Sequence, residues 1–474
     1  MRSEIRVLSL VAFCMLAACN LSLFPTTIPV LSNANGASSP TAPAGSTVVL
    51  AGAGFGDTQG SGQVVFTPSG GGVPLQATIV NPGGWTQAAI VATVPGGAAG
   101  SYVVSVLTGG GITSGGLIFT MTPAVTFNPS AITWTAGPSL AGPVSGTGVA
   151  FAEIGSNRYV YAVGGAGAAG APVATVSYAS VGTTGTLGAW LPATSLPAPL
   201  AFTGVVAATV RNSAVLSNGY LYAVGGAADA GGTPVITVYR AAINADGSLG
   251  TWSTTGSLPI ALRSAGVIIQ YGSMYVLGGA TTGNAPAATA FRSPIQVDGA
   301  VTWKPQQSLP SPRARFGYGV AGLYLYAFGG DSISVAPNDT AGAAKRMAQI
   351  VYAKLNPSTR DITSWTTAAT ALTDARSANP AVPGAGKVLL TGGLYSGAST
   401  HTSEATYAVL NTDGTVGSFT TATPATSINS LCSCNLFNQG ATAYLGGNGS
   451  FHVLVVGGDD VSGSGTRRQE TFTY

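Results

Sequence analysis

Hydrophobic residues in this chain come in short, strand-length runs closed by glycine, and the runs fall into two regimes. Over residues 27 to about 122, β-branched stretches alternate with glycine turns, as in Gly45 to Gly56 (GSTVVLAGAGFG), Gly62 to Pro68, Ala88 to Pro95 and Gly100 to Gly111. Runs of this length bounded by turn residues predict an antiparallel β-sandwich. From about residue 130 a repeat takes over. An apolar strand ending in Gly-Gly recurs six times, its second glycine at Gly165, Gly226, Gly279, Gly330, Gly393 and Gly458. A second marker interleaves with it: Trp134, Trp190, Trp252, Trp303, Trp365 and then Phe419. Between the markers, Asn244-Ala245-Asp246-Gly247 and Asp413-Gly414 predict hairpin turns. A separate apolar stretch, Val7 to Leu16, follows Arg2 and Arg6 and is too short to cross a bilayer as a stable anchor.

Charge narrows the function classes. Only 7% of the 474 residues are charged, against 68 Gly and 28 Pro, which excludes a coiled coil, a charged tail protein and an ordinary charged cytosolic enzyme. A formal net charge of +3 is too small and too thinly spread for the electrostatic footprint that phosphate backbones demand, so nucleic acid is not a predicted partner. No apolar run reaches the ~18 residues of a membrane-spanning helix. From Val7 to Ala152 the one ionisable Asp, Glu, Lys, Arg or His is Asp57, so the surface of that third must be Ser, Thr, Gly, Asn and Gln.

Three resemblances follow from these residues. Leu16-Ala17-Ala18-Cys19, directly after the apolar stretch, resembles the lipobox of bacterial lipoproteins, where cleavage precedes a Cys that becomes lipidated. It implies a signal peptide over 1–18, a lipidated Cys19 with a linker over 19–26, and permanent attachment to a membrane. Asn20 in place of an Asp favours the outer membrane or cell surface. Residues 27–122, with their G-x-G-F-G turn, the strand closing in Thr93-Val94-Pro95 and the final Leu117-Ile118-Phe119, resemble the IPT/TIG family of immunoglobulin-like domains. In bacterial surface proteins such domains imply a spacer or adhesive module, here a stalk. Residues 130–474, with one Gly-Gly and one aromatic per unit of about fifty to sixty-five residues, look like kelch repeats, whose units are four-stranded propeller blades. The fold class expected is thus all-β, an immunoglobulin-like β-sandwich followed by a six-bladed kelch-type β-propeller.

Closure of the ring is also predicted. Ile132-Thr133-Trp134 reads as an outer strand with no inner strands before it, and the chain ends on a third strand without an outer partner, so the N-terminal strand should complete the sixth blade. Longer segments in blades two, four and six are expected on one face, which suggests binding there. Arg211, Arg263, Arg315 and Arg376 lie 14, 15, 14 and 16 residues before the first Gly of their pairs, placing each near the start of an inner strand. They are the candidate ligand-binding residues, for a glycan or a protein; the competing reading pairs each Arg with a loop carboxylate such as Asp374 or with backbone carbonyls between blades. Cys432 and Cys434 could form a tight disulfide, remain free thiols or bind a soft metal.

Enzyme readings are weaker. His401 and His452 are the two histidines and neither follows a Tyr, which disfavours a copper site like that of galactose oxidase. An exported carbohydrate-acting enzyme, resembling the sialic-acid mutarotase that shares this architecture, would need an acid/base group in the channel, with Asp374 the best carboxylate. No catalytic residue, metal or cofactor is assigned.

Overall fold

The computed structural model describes residues 28–35, 38–80, 84–124, 127–128, 132–154, 157–208, 211–212, 215–216, 219–334, 345–396, 405–422, 428, 431, 436–445, 450–460 and 471–473. The expected signal peptide, Cys19, Cys432, Cys434 and His401 lie outside them. The protein is all-β, built from several small sheets. No helix among the described residues is long and apolar enough to cross a membrane.

Two N-terminal sheets enclose one core. A four-stranded sheet containing Thr47–Ala53 and Ala89–Thr93 faces a five-stranded sheet containing Gln63–Pro68, Gly100–Leu107 and Leu117–Thr122. The second sheet alternates: Tyr102, Val104 and Val106 point inward while Ser101 and Val103 are exposed, as a half-buried strand requires. The first does not alternate. Val48, Val49 and Leu50 are all buried, as are Ile90, Val91 and Ala92, because this sheet is covered on both faces. Val48 and Leu50 join the core with Phe66 and Phe119, whose rings meet edge to face at 5.0 Å. Val49, Ala89 and Val91 instead join a cluster with Leu323, Leu325 and Val351 from the repeat region. The N-terminal unit is therefore packed against the repeat region.

The repeat region forms six four-stranded sheets. Their first strands are Gly148–Ile154, Gly204–Ala208, Gly266–Gln270, Gly317–Ala321, Ala381–Gly384 and Gly440–Leu445. Each first strand touches the next, and the sixth touches the first. The sixth sheet takes its outer strand from the other end of the sequence, Thr135–Ala136, paired antiparallel to Thr471–Thr473. Trp134 beside it is fully buried.

Neighbouring sheets are joined by the repeated markers. The second glycine of each pair donates its N–H across to the following sheet: Gly165 to Leu200, Gly226 to Leu262, Gly279 to Arg313, Gly330 to Arg376, Gly393 to Leu436 and Gly458 to Val144, each at 2.8 to 2.9 Å. The first glycine has φ near +60° and no room for a side chain; a Cβ on Gly225 would stand 2.3 Å from the Leu262 carbonyl oxygen. The Trp markers work at the rim. Trp190 donates its indole N–H to Pro138, Trp252 to Thr194, Trp303 to Gly256 and Trp365 to Gln307, in each case just beyond the outer strand of the preceding sheet.

Candidate binding site at the channel mouth

Just ahead of each first strand the backbone turns left-handed. Gly146, Phe202, Ser264, Arg315, Ala378 and Asn438 have φ between 50° and 58°. Each donates its N–H to the carbonyl of the one before, from Phe202 to Gly146 (2.7 Å) through Ser264, Arg315, Ala378 and Asn438, and Gly146 to Asn438 (2.8 Å) closes the circle. A non-glycine residue at such φ costs of order 1 kcal/mol or more, and the shared hydrogen bonds offset it. Inside this circle lies a neck cavity of about 120 Å³, lined by Phe202, Ser264, Arg315, Asn379, Asn438 and Gln439 among others. Below it, between the first strands, a channel of about 360 Å³ is lined by Val, Ala, Ile, Phe, Gly, Pro, Tyr318 and Thr442, with no carboxylate or cationic side chain among them.

Arg315 reaches the neck already paired. Its Nε donates to Asp331 Oδ2 at 2.6 Å, and both side chains are almost wholly buried. The sixth sheet repeats the motif in neutral form, Asn438 Nδ2 donating to Asp459 Oδ2 at 3.2 Å. Asp331 and Asp459 each follow a Gly-Gly, and their carboxylates meet Arg315 and Asn438, two residues that line the neck. Asn379 stands in the same layer with neither amide atom hydrogen-bonded, and Gln439 Oε1 is likewise unmatched. Buried polar atoms without partners are rare and are satisfied in native proteins by water or ligand.

The four predicted arginines do not form one ring. Arg211 begins a two-residue hairpin, Arg211–Asn212 against Val215–Leu216, inserted between the first and second strands of the second sheet, hence at the end of the sheet away from Gly-Gly. The extra length of the second repeat lies there, not ahead of the first strand as expected, and the matching offset of Arg211 arises from that insertion. The other three are at the mouth but out of register. Arg376 holds the position whose carbonyl accepts from a Gly-Gly, Arg263 is one residue further along, and Arg315 is in the circle itself. Three successive positions and a left-handed backbone at the last of them aim the three side chains differently, and of the three only Arg315 lines the neck.

Arg376 is buried, donates to Thr406 Oγ1 at 3.2 Å and lies 4.4 Å from the Tyr395 ring centroid. Asp374, its expected partner, is exposed. Arg263 donates to Asn284 Oδ1, and burial, reinforced by the neighbouring Arg315 charge, lowers its pKa to about 10. The true equivalent of Arg376 is Arg313, which the spacing argument passed over in Arg313-Ala314-Arg315. It is buried, donates to Gln349 Oε1 at 2.8 Å and Ser311 Oγ at 3.0 Å, and burial lowers its pKa to about 10 as well. Both remain charged at neutral pH. Asn379 carried little sequence signal: at the matching position Gln439 is the one other amide, and Thr147, Thr203, Ala265 and Phe316 fill the rest.

Described residues flanking the segments 335–344, 397–404, 432–435 and 461–470 lie at this same end, between second and third strands or ahead of the sixth sheet. No protein-family model matches the chain, and no curated protein matches it.

Proposed function

We propose that the chain is an exported, lipid-anchored protein of the outer membrane or cell surface, an immunoglobulin-like sandwich preceding a six-bladed kelch-type propeller that binds a glycan or protein partner at its mouth. Six four-stranded sheets in cyclic contact and two sheets around one N-terminal core support the architecture. The observation that carries the binding reading is the neck itself: Arg315, Asn379, Asn438 and Gln439 converge from the fourth, fifth and sixth repeats on one cavity. A guanidinium flanked by amides suits an acidic sugar or a partner's carboxylate, at roughly 1.5–3 kcal/mol per charged hydrogen bond. The absence of a carboxylate from the lining of the channel among the described residues favours binding over acid/base chemistry.

A glycan array and a surface-extract capture with residues 20–474 test this. Acidic ligands should bind and should weaken about tenfold in Arg315→Lys, which keeps the charge beside Asp331 but loses the fork. Retention of neutral ligands alone, or equal binding by the variant, refutes the neck as the site. For the anchor, Cys19→Ser should release the protein from membranes or leave its precursor uncleaved.

A further inference from the structure

A cavity larger than the neck lies away from the mouth. A cleft of about 550 Å³ lies between the N-terminal unit and the repeat region, walled by Pro43 to Thr47 on one side and by Val320 to Tyr324, Pro383 to Gly386 and Leu410 to Thr412 on the other. It sits at the end of the fourth and fifth sheets away from Gly-Gly, where first strand turns into second, and so is separate from the neck. Its walls are held in place. Beside it Val49 and Val91 are packed in one cluster with Leu323 and Leu325, and Thr86 Oγ1 and Ser358 Oγ are 3.0 Å apart. At the closest approach a Cβ on Gly322 would stand 3.5 Å from Thr47 Oγ1, whereas one on Gly45 or Gly386 would meet nothing within 4 Å, so the cleft is open at those two points.

Its chemistry restricts the occupant. No lining residue carries a charge at neutral pH, and the charged residues adjoining the lining are engaged elsewhere, Lys387 with the Phe127 carbonyl at 2.7 Å and Asp413 with the Thr415 hydroxyl at 2.7 Å, so an ion entering the cleft would lose hydration with little compensation. The floor is apolar, from Pro43, Val80, Val91, Pro383 and Leu410, while Ser46, Thr47, Asn411 and Thr412 supply hydroxyl and amide groups. Ser46 Oγ already donates to the Pro43 carbonyl at 2.6 Å and Asn411 Nδ2 to Thr415 Oγ1 at 2.9 Å, so a guest would meet their remaining acceptor positions and the hydroxyls of Thr47 and Thr412. A sugar ring matches floor and polar groups alike, with one face of C–H bonds and an equator of hydroxyls. The volume falls within the roughly 300–1,000 Å³ of small-ligand sites, which favour interfaces between units. We propose that this cleft is a binding site for an uncharged oligosaccharide.

The test is titration calorimetry of the mature chain with a panel of neutral hexasaccharides (glucans, mannan, xylan, chitin) and with oligogalacturonate as the acidic comparison. At least one neutral member should bind, more tightly than the acidic one. Its affinity should fall at least tenfold in Thr412→Trp, an exposed position where the new ring fills the cleft, and stay unchanged in Arg315→Lys. If Thr412→Trp fails to fold, Ala44→Trp blocks the opposite wall. The proposal is overturned if no neutral member binds, if both blocking variants bind as the parent does, if the acidic ligand competes equally, or if only Arg315→Lys loses binding, which would return the ligand to the neck.

Discussion

Asp331 and Arg315 meet at 2.6 Å with about 1% and 3% of their side chains exposed. Such a pair is worth little against a well-packed apolar substitute, because desolvating both ions consumes most of their attraction, but removing one partner leaves a buried charge and costs about 3–5 kcal/mol. Asp331→Asn preserves the shape and deletes the charge, so it should destabilise the repeat region by about that amount. For a unit larger than 250 residues each kcal/mol shifts the melting temperature by roughly 1–2 °C, so the midpoint should fall by about 3–10 °C. Arg315→Met should cost a similar amount. The double variant Asp331→Asn with Arg315→Met combines the same two substitutions, buries no charge and should lie within about 1–3 kcal/mol of the parent, giving a coupling of several kcal/mol. Scanning calorimetry and urea unfolding followed by tryptophan fluorescence measure all four proteins. An Asp331→Asn midpoint within 1 °C of the parent, or a double variant as unstable as the sum of the singles, would show that Asp331 is not what offsets the Arg315 charge.

Three further outcomes follow from the same geometry. Gly225→Ala, at φ +59° with a Cβ 2.3 Å from the Leu262 carbonyl, should cost several-fold more than Gly272→Ala, at φ +72° in open space, where only the left-handed penalty of about 1 kcal/mol applies; equal midpoints would remove the close approach as the reason for Gly-Gly. A chain begun at residue 128 keeps Trp134 and the Thr135–Ala136 pairing but uncovers the cluster around Leu323, whereas one begun at 137 also loses a buried Trp worth about 3–5 kcal/mol and exposes a strand edge. The order of solubility and melting should be full chain, then 128, then 137, and equal behaviour of the two truncations contradicts the closure. At alkaline pH, burial holds Tyr271, Tyr275 and Tyr444 protonated to about 12 in the folded state against about 10 unfolded, so their contribution is intact below pH 10 and is lost as pH rises from 10 to 12. Arg263 and Arg313, lowered to about 10, act in the opposite sense. The three tyrosines outweigh them if urea midpoints decline between pH 10 and 12, and a flat profile counts against that balance.

Much of the strand framework is legible in the sequence because the markers are local. A Gly-Gly must end a strand where the next sheet's carbonyl leaves no space for a Cβ, a buried indole needs a carbonyl at fixed reach, and both constraints recur wherever the unit recurs. The unpaired third strand at the C-terminus likewise implied a partner from the N-terminus, and Thr135–Ala136 supplies it. Which way an arginine points was not legible. Arg263, Arg315 and Arg376 share an approximate offset, but side-chain direction changes with a single residue, and offsets known to within two residues cannot resolve it. The insertion carrying Arg211 shifted the count without leaving any local mark. The burial of both faces of Thr47–Ala53 was present as the unbroken run Val48-Val49-Leu50, yet only the tertiary structure decided what covers the second face, since a hydrophobic run specifies that area must be removed from water and not against which surface.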